Sequence, residues 1–148
     1  MINHAKENFK LLLSDMEKAR DILLFSFSKC SKINMTEGLT DNEMESLEAL
    51  TSRFSRLSDI LIQKVFRAID IFDLDDEGTV RDRINRAEKK GYIDSADVFI
   101  DIRILRNEIS HEYKTETIYS IYRKVLGLSP ALLESVSSVV EYSKKYTS

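Results

Sequence analysis

The chain has 148 residues, 43% of them hydrophobic and 32% charged, with a formal net charge of −3. That length suits one domain, residues 1–148, able to bury a core without covalent staples. The slight acidity excludes a generic nucleic-acid coat, whose affinity rests on basic charge, but leaves room for a local basic cleft. The single cysteine, Cys30, excludes an intrachain disulfide and fits a reducing cytoplasm. No apolar run approaches the ~18 residues of a membrane span, and the first residues lack the charged-then-apolar pattern of a secretory signal, so no membrane association is expected. Four glycines and one proline are few breakers, which favours long helices.

The first helix is predicted from about Ala5 to Ser31. Phe9, Leu12, Leu13, Met16, Ala19, Leu23 and Phe27 recur at three- and four-residue steps, and Lys10, Asp15, Lys18 and Asp21 take the other side. Phe25 and Phe27 read as core or interface residues, and His4 as a solvated residue ahead of the helix. Thr40 with Glu43 has the spacing of a capping box. It opens a second helix whose stripe runs through Leu47, Leu50, Phe54, Leu57, Leu61, Val65 and Ala68 to near Ile71. Arg53 or Arg56 on it could line a phosphate-binding cleft. The run from Asp73 to Gly78 resembles the start of a calcium loop, but the bidentate glutamate such a loop needs is replaced by Ile84, and Arg81 falls at another ligand position. It reads as an acidic inter-helix loop. No His and Asp/Glu set stands in register for zinc.

Thr79 with Asp82 predicts a short helix to Lys90, stopped by Gly91. Its basic face (Arg81, Arg83, Arg86, Lys89, Lys90) reads as solvated by default, with RNA or an acidic partner as the alternative. Asp94 or Ser95 caps the next helix, pinned by Phe99, Ile102 and Ile109. Thr115 or Thr117 is expected to open a helix that Gly127 ends, and Ser129-Pro130 to cap a last helix with Leu132, Leu133, Val136, Val139 and Val140 on its apolar side. No alternating strand pattern or repeat is present. The fold expected is all-α, an antiparallel bundle of four to six helices.

One stretch carries chemistry. Asp101 to Tyr113 reads DIRILRNEISHEY and holds Arg103, Arg106, Asn107, His111 and Tyr113. At about 100° per residue, Arg106 and His111 lie about 140° apart, whereas Asn107 and His111 share a face. Such a wide polar band suits a cleft between elements or between two copies of the chain. Histidine can give or take a proton near neutrality. Arginine grips phosphate with a planar fork. Asn107 and Arg103 could support the pair or bind phosphate. His111 could deprotonate a ribose 2′-hydroxyl while Arg106 stabilises the phosphorane, with no metal or cofactor. One candidate histidine per chain makes a two-fold homodimer an economical source of base and acid. Against this stands a helix-end histidine near a solvated arginine, the commoner meaning of such a pair.

The run Arg106-Asn107-Glu108-Ile109-Ser110-His111-Glu112-Tyr113 resembles the signature of the HEPN superfamily, specifically its HepT-like toxins. Arg56-Leu57-Ser58-Asp59 with Ile60, Leu61 and Ile62 resembles that family's second helix. Gly78-Thr79-Val80-Arg81-Asp82-Arg83-Ile84-Asn85 with Glu88 and Gly91-Tyr92-Ile93 resembles its next segment. The resemblance implies a small all-α homodimer acting as a metal-independent ribonuclease. It implies Arg106 and His111 as catalytic, Asn107 as support, and a minimal nucleotidyltransferase antitoxin that can AMPylate Tyr113. It also admits a second role, a nucleotidyltransferase's substrate- or partner-binding subunit without cleavage.

Overall fold

The structure is a computed structural model and describes residues 2–111 and 115–148. All regular structure in it is helical. Helix α1 spans Ile2–Cys30, so His4 lies inside its first turns, exposed, rather than ahead of it. The predicted stripe points inward: Phe9, Leu13, Met16, Ala19 and Leu23 are buried. Phe27 is half-buried, whereas Phe25 is 66% exposed and contributes nothing to the core.

Helix α2, Asp41–Asp59, opens on the expected capping box, with Glu43 N–H donating to Thr40 Oγ1 and Thr40 N–H donating to the Glu43 carboxylate. Its rod does not run on as plain α-helix. Ile60–Val65 form a π-helical turn, in which Phe66 N–H reaches back five residues to the Leu61 carbonyl. Helix α3, Phe66–Phe72, completes the rod. The Arg83 guanidinium donates to the Ile62 carbonyl at 3.1 Å, an extra partner for a backbone group in the widened turn. The periodic stripe survives the π turn because Leu57, Ile60, Leu61, Ile62, Val65 and Phe66 are all buried there. Near-continuous burial absorbs the extra residue.

Helix α4, Val80–Lys90, has the Thr79–Asp82 capping box at its start. It ends at Gly91, whose φ of 90° lies in the left-handed region that costs other residues a steric clash. Helix α5, Ala96–His111, takes Ser95 as its cap, since Val98 N–H donates to Ser95 Oγ at 3.2 Å. Phe99, Ile102 and Leu105 bury its inner side.

Helix α6 spans Thr115–Thr147 without interruption. The expected stop at Gly127 and restart at Ser129-Pro130 are therefore corrected: both lie within one helix. The apolar stripe explains it. Ile121, Tyr122, Val125, Leu132, Val136 and Val139 are buried in one unbroken helical phase, with buried Ser129 filling the step between Val125 and Leu132. A proline inside a helix costs about 3 kcal/mol, and each fully buried large apolar side chain returns roughly 1.5–3 kcal/mol. The stripe outweighs the breaker.

The helices form a bundle. Arg53 reaches Ser26 while Asp59 and Ile60 share a groove with Leu12 and Asp15, so α1 and α2 run antiparallel. The start of α1 meets the end of α6, where the Phe9, Phe72 and Tyr146 rings cluster. Phe66, Tyr92 and Phe99 join α3, the 91–95 turn and α5 at centroid distances of 5.2 and 5.6 Å.

Candidate functional site

Arg106 points from α5 towards α2 and meets Asp59 at the last α-helical position before the π turn. Its Nε donates to Asp59 Oδ1 at 2.9 Å and its Nη2 to Asp59 Oδ2 at 3.0 Å, a bidentate grip. Nη1 donates to Ser110 Oγ at 2.6 Å, one turn further along α5. A guanidinium carries five N–H donors. Three are engaged among the described residues, which leaves one hydrogen on each terminal nitrogen. The pair is not sealed in: the Arg106 and Asp59 side chains are 29% and 43% exposed.

That exposure faces an open groove of about 820 Å³ between α1, α2, α5 and α6. Leu12, Ile109 and Ile118 give it an apolar wall, and Thr51, Ser52 and Ser55 add hydroxyls along α2. Arg56, Lys64, Asp15 and Glu48 add charge. Tyr122 closes one end almost fully buried, its hydroxyl pushed up in pKa by burial and then by the Glu48 carboxylate. The π turn has a local consequence here. In an unbroken α-helix Arg56 and Lys64 would stand about 80° apart. A wider turn winds through fewer degrees per residue, and both side chains line the same groove.

The other predicted residues are placed as follows. His111 is the exposed last residue of α5 and is not among the residues lining the groove. Asn107 is exposed and Arg103 half-buried, and neither side chain makes a hydrogen bond or ion pair among the described residues. Tyr113 lies outside the described residues. Of the two arginines weighed for a phosphate cleft, Arg53 donates to Ser26 Oγ at 2.7 Å on α1, and Arg56 lines the groove. Asp59, Ser110 and Lys64 were not singled out by sequence reasoning. Asp59 and Arg106 stand 47 residues apart, and no local spacing signals such a contact.

The basic face of α4 is mostly turned inward. Arg86 and Lys90 hold Asp70, which is fully buried, and Lys90 also reaches Asp73. With Arg83 on the π turn, that leaves Arg81 and Lys89 as the exposed remainder. The acidic loop is likewise tied down, since Asp73 accepts hydrogen bonds from Tyr142 and Tyr146. Among the described residues no group of three or more His, Cys, Asp or Glu is placed to hold a metal ion, and no helix is long and apolar enough to cross a membrane.

No protein-family model matches the chain, and no curated protein sequence matches it.

Proposed function

We propose that the protein is a HepT-like ribonuclease of the HEPN superfamily, a toxin that cleaves RNA without metal and is held in check by a minimal nucleotidyltransferase antitoxin. The observation that carries the reading is Arg106: a guanidinium fixed bidentately by Asp59 at an open groove, with two terminal N–H donors left for a phosphate. A fixed cation with spare donors stabilises charge that develops on a phosphorane without reorganising during the reaction. In the proposed step His111 takes the proton of a ribose 2′-hydroxyl. The 2′-oxygen–phosphorus bond forms and the phosphorus–5′-oxygen bond breaks. The 5′-oxygen takes a proton from His111 of a second copy of the chain, leaving a 2′,3′-cyclic phosphate and a 5′-hydroxyl. In one protomer Arg106 faces the groove and His111 sits exposed at the helix end, an arrangement suited to a homodimer in which each copy completes the other's site. An adenylate placed on Tyr113, two residues beyond His111, would bring negative charge and bulk next to the phosphate path.

The test is cleavage of mixed cellular RNA in EDTA by the wild type and by His111→Ala. Wild-type cleavage ending in 2′,3′-cyclic phosphate, reduced about 10²- to 10⁴-fold in the variant, is the expected result. Equal cleavage by both proteins would sink the assignment of His111.

One observation favours a second reading. His111 lies outside the described lining of the groove that holds Arg106, as it would in a non-catalytic nucleotide- or partner-binding subunit of a nucleotidyltransferase, with Arg106 as phosphate anchor. Silence of both proteins towards RNA, with retained binding of a nucleotide or of a nucleotidyltransferase, would select it.

A further inference from the structure

Two cations in the groove have no role in holding the fold. Arg56 and Lys64 are exposed, line the groove, and make no ion pair among the described residues. The groove's carboxylates are Asp59, engaged by Arg106, and Asp15 and Glu48, which likewise form no ion pair among the described residues. Glu48 stands eight residues before Arg56, about 12 Å back along the helix axis, so of the α2 carboxylates only Asp59, already engaged by Arg106, lies between the two cations. Asp15 enters from α1, one turn from Leu12.

The order along the rod is Arg56, then Asp59 with Arg106 clamped to it, then Lys64. Eight residues separate the two outer cations, about 12 Å of rise, with the third between them. Such a row suits an extended polyanion better than a single phosphate. The neighbouring wall is apolar, with Leu12, Ile109 and Ile118 half-buried. A cationic row beside an apolar wall offers separate places for the backbone and the bases of one strand. A duplex would hide its bases and leave that wall unused.

We propose that this groove seats a single-stranded RNA segment, with successive phosphates on Arg56, Arg106 and Lys64 and bases against the apolar wall. The π turn is then a positioning device, because it holds Lys64 in line with Arg56, and Arg83 braces it from behind through the Ile62 carbonyl. The inference rests on the ribonuclease reading and adds the substrate form and two binding residues to it.

The test uses full-length His111→Ala protein, so that the RNA stays intact, and a fluorescent oligouridylate titrated by anisotropy over a salt series. Neutralising a phosphate contact to a single strand removes about 0.7 from the slope of log K against log salt. Arg56→Gln and Lys64→Gln are each expected to flatten the slope by that amount, whereas Lys89→Gln, exposed on α4 and not among the groove's lining residues, leaves it unchanged. The substituted side chains are exposed, and unchanged thermal melting verifies the fold. If the oligonucleotide binds and neither groove variant alters affinity or slope, the groove assignment is overturned while RNA binding stands. The same holds if Lys89→Gln flattens the slope equally, because binding is then diffuse. If no protein binds the oligonucleotide, the ribonuclease reading falls and this inference with it. Tighter binding of duplex than of single strand would overturn the substrate form alone.

Discussion

Two arginine–carboxylate pairs that join different helices sit in opposite surroundings. Asp70 is fully buried, and its two oxygens take three donors, from Arg86 Nε and Nη2 and from Lys90 Nζ, all within 3.0 Å. The chain continues through Asp73 to Tyr142 and Tyr146, so this cluster ties α3, α4 and the end of α6 together. Asp59 and Arg106 use the same groups in a different geometry: Arg106 spreads Nε and Nη2 over both Asp59 oxygens, whereas Arg86 brings both to one Asp70 oxygen and leaves the other to Lys90, and the Asp59 carboxylate stays partly exposed. Charge pairing alone therefore does not mark a site. What separates the two is burial: the Asp70 carboxylate is fully enclosed, whereas that of Asp59 is 43% exposed beside an open groove.

The contrast breaks hardest at Arg86. Arg86→Met leaves a buried carboxylate with Lys90 as its only charged partner. Removing one partner of a buried ion pair costs about 3 kcal/mol, and with Lys90 still on Asp70 that is an upper value, read as a lower urea midpoint at constant slope. A loss too small to measure would mean that Asp70 is not held in a dry site.

Next comes pH, which separates the closed cluster from the open pair. Burial works to raise the Asp73 carboxyl, but hydrogen bonds from Tyr146, Lys90 and Tyr142 outweigh it and hold the pKa below the ordinary value. Its contribution is complete above the unfolded value of about 3.9 and is lost as pH falls through the folded one. Tyr146 is shifted the other way, by burial and then by Asp73, so its hydroxyl stays neutral after an unfolded tyrosine would ionise. Its contribution is complete below about pH 10 and lost as pH rises. Urea unfolding across pH is expected to show both limbs. Tyr146→Phe should shrink the alkaline limb, to which buried Tyr92 and Tyr122 also contribute, and Asp73→Asn the acid one, which Asp82 shares.

The smallest effect on stability belongs to Asp59→Ala. A pair this exposed contributes at most about 1 kcal/mol, so melting should scarcely move, while under the proposed ribonuclease reading cleavage drops because Arg106 loses the carboxylate that aims it. A destabilisation matching that of Arg86→Met would erase the distinction between the regions.

What the sequence revealed follows the range of the interactions involved. Both capping boxes, the Ser95 cap and the Gly91 stop depend on groups within three or four residues, and each is found where its spacing placed it. The inward stripes of α1 and α2 depend on period alone and are equally plain. The π turn was hidden because Ile60, Leu61 and Ile62 are apolar in succession and satisfy either winding. The roles of Arg83, Arg86 and Lys90 were hidden because their acceptors lie 16 to 21 residues away on another element. The misplaced break in α6 came from weighing Gly127 and Pro130 singly against a stripe whose phase runs through both.

That stripe leaves a backbone cost inside α6. Pro130 has no N–H, so the carbonyl of Leu126 goes without its usual partner, and the Ser129 hydroxyl turns back to the Val125 carbonyl at 2.6 Å. In the language of amide hydrogen exchange, the missing bond is a seam in an otherwise continuous rod. The half after Pro130 is fastened through Tyr142 and Tyr146 to Asp73, and the half before it carries Ile118, Ile121 and Tyr122 to the groove. Amides on the groove side of the seam are expected to exchange ahead of those at Val136 and Val139, and equal protection on both sides would show that the seam transmits no weakness.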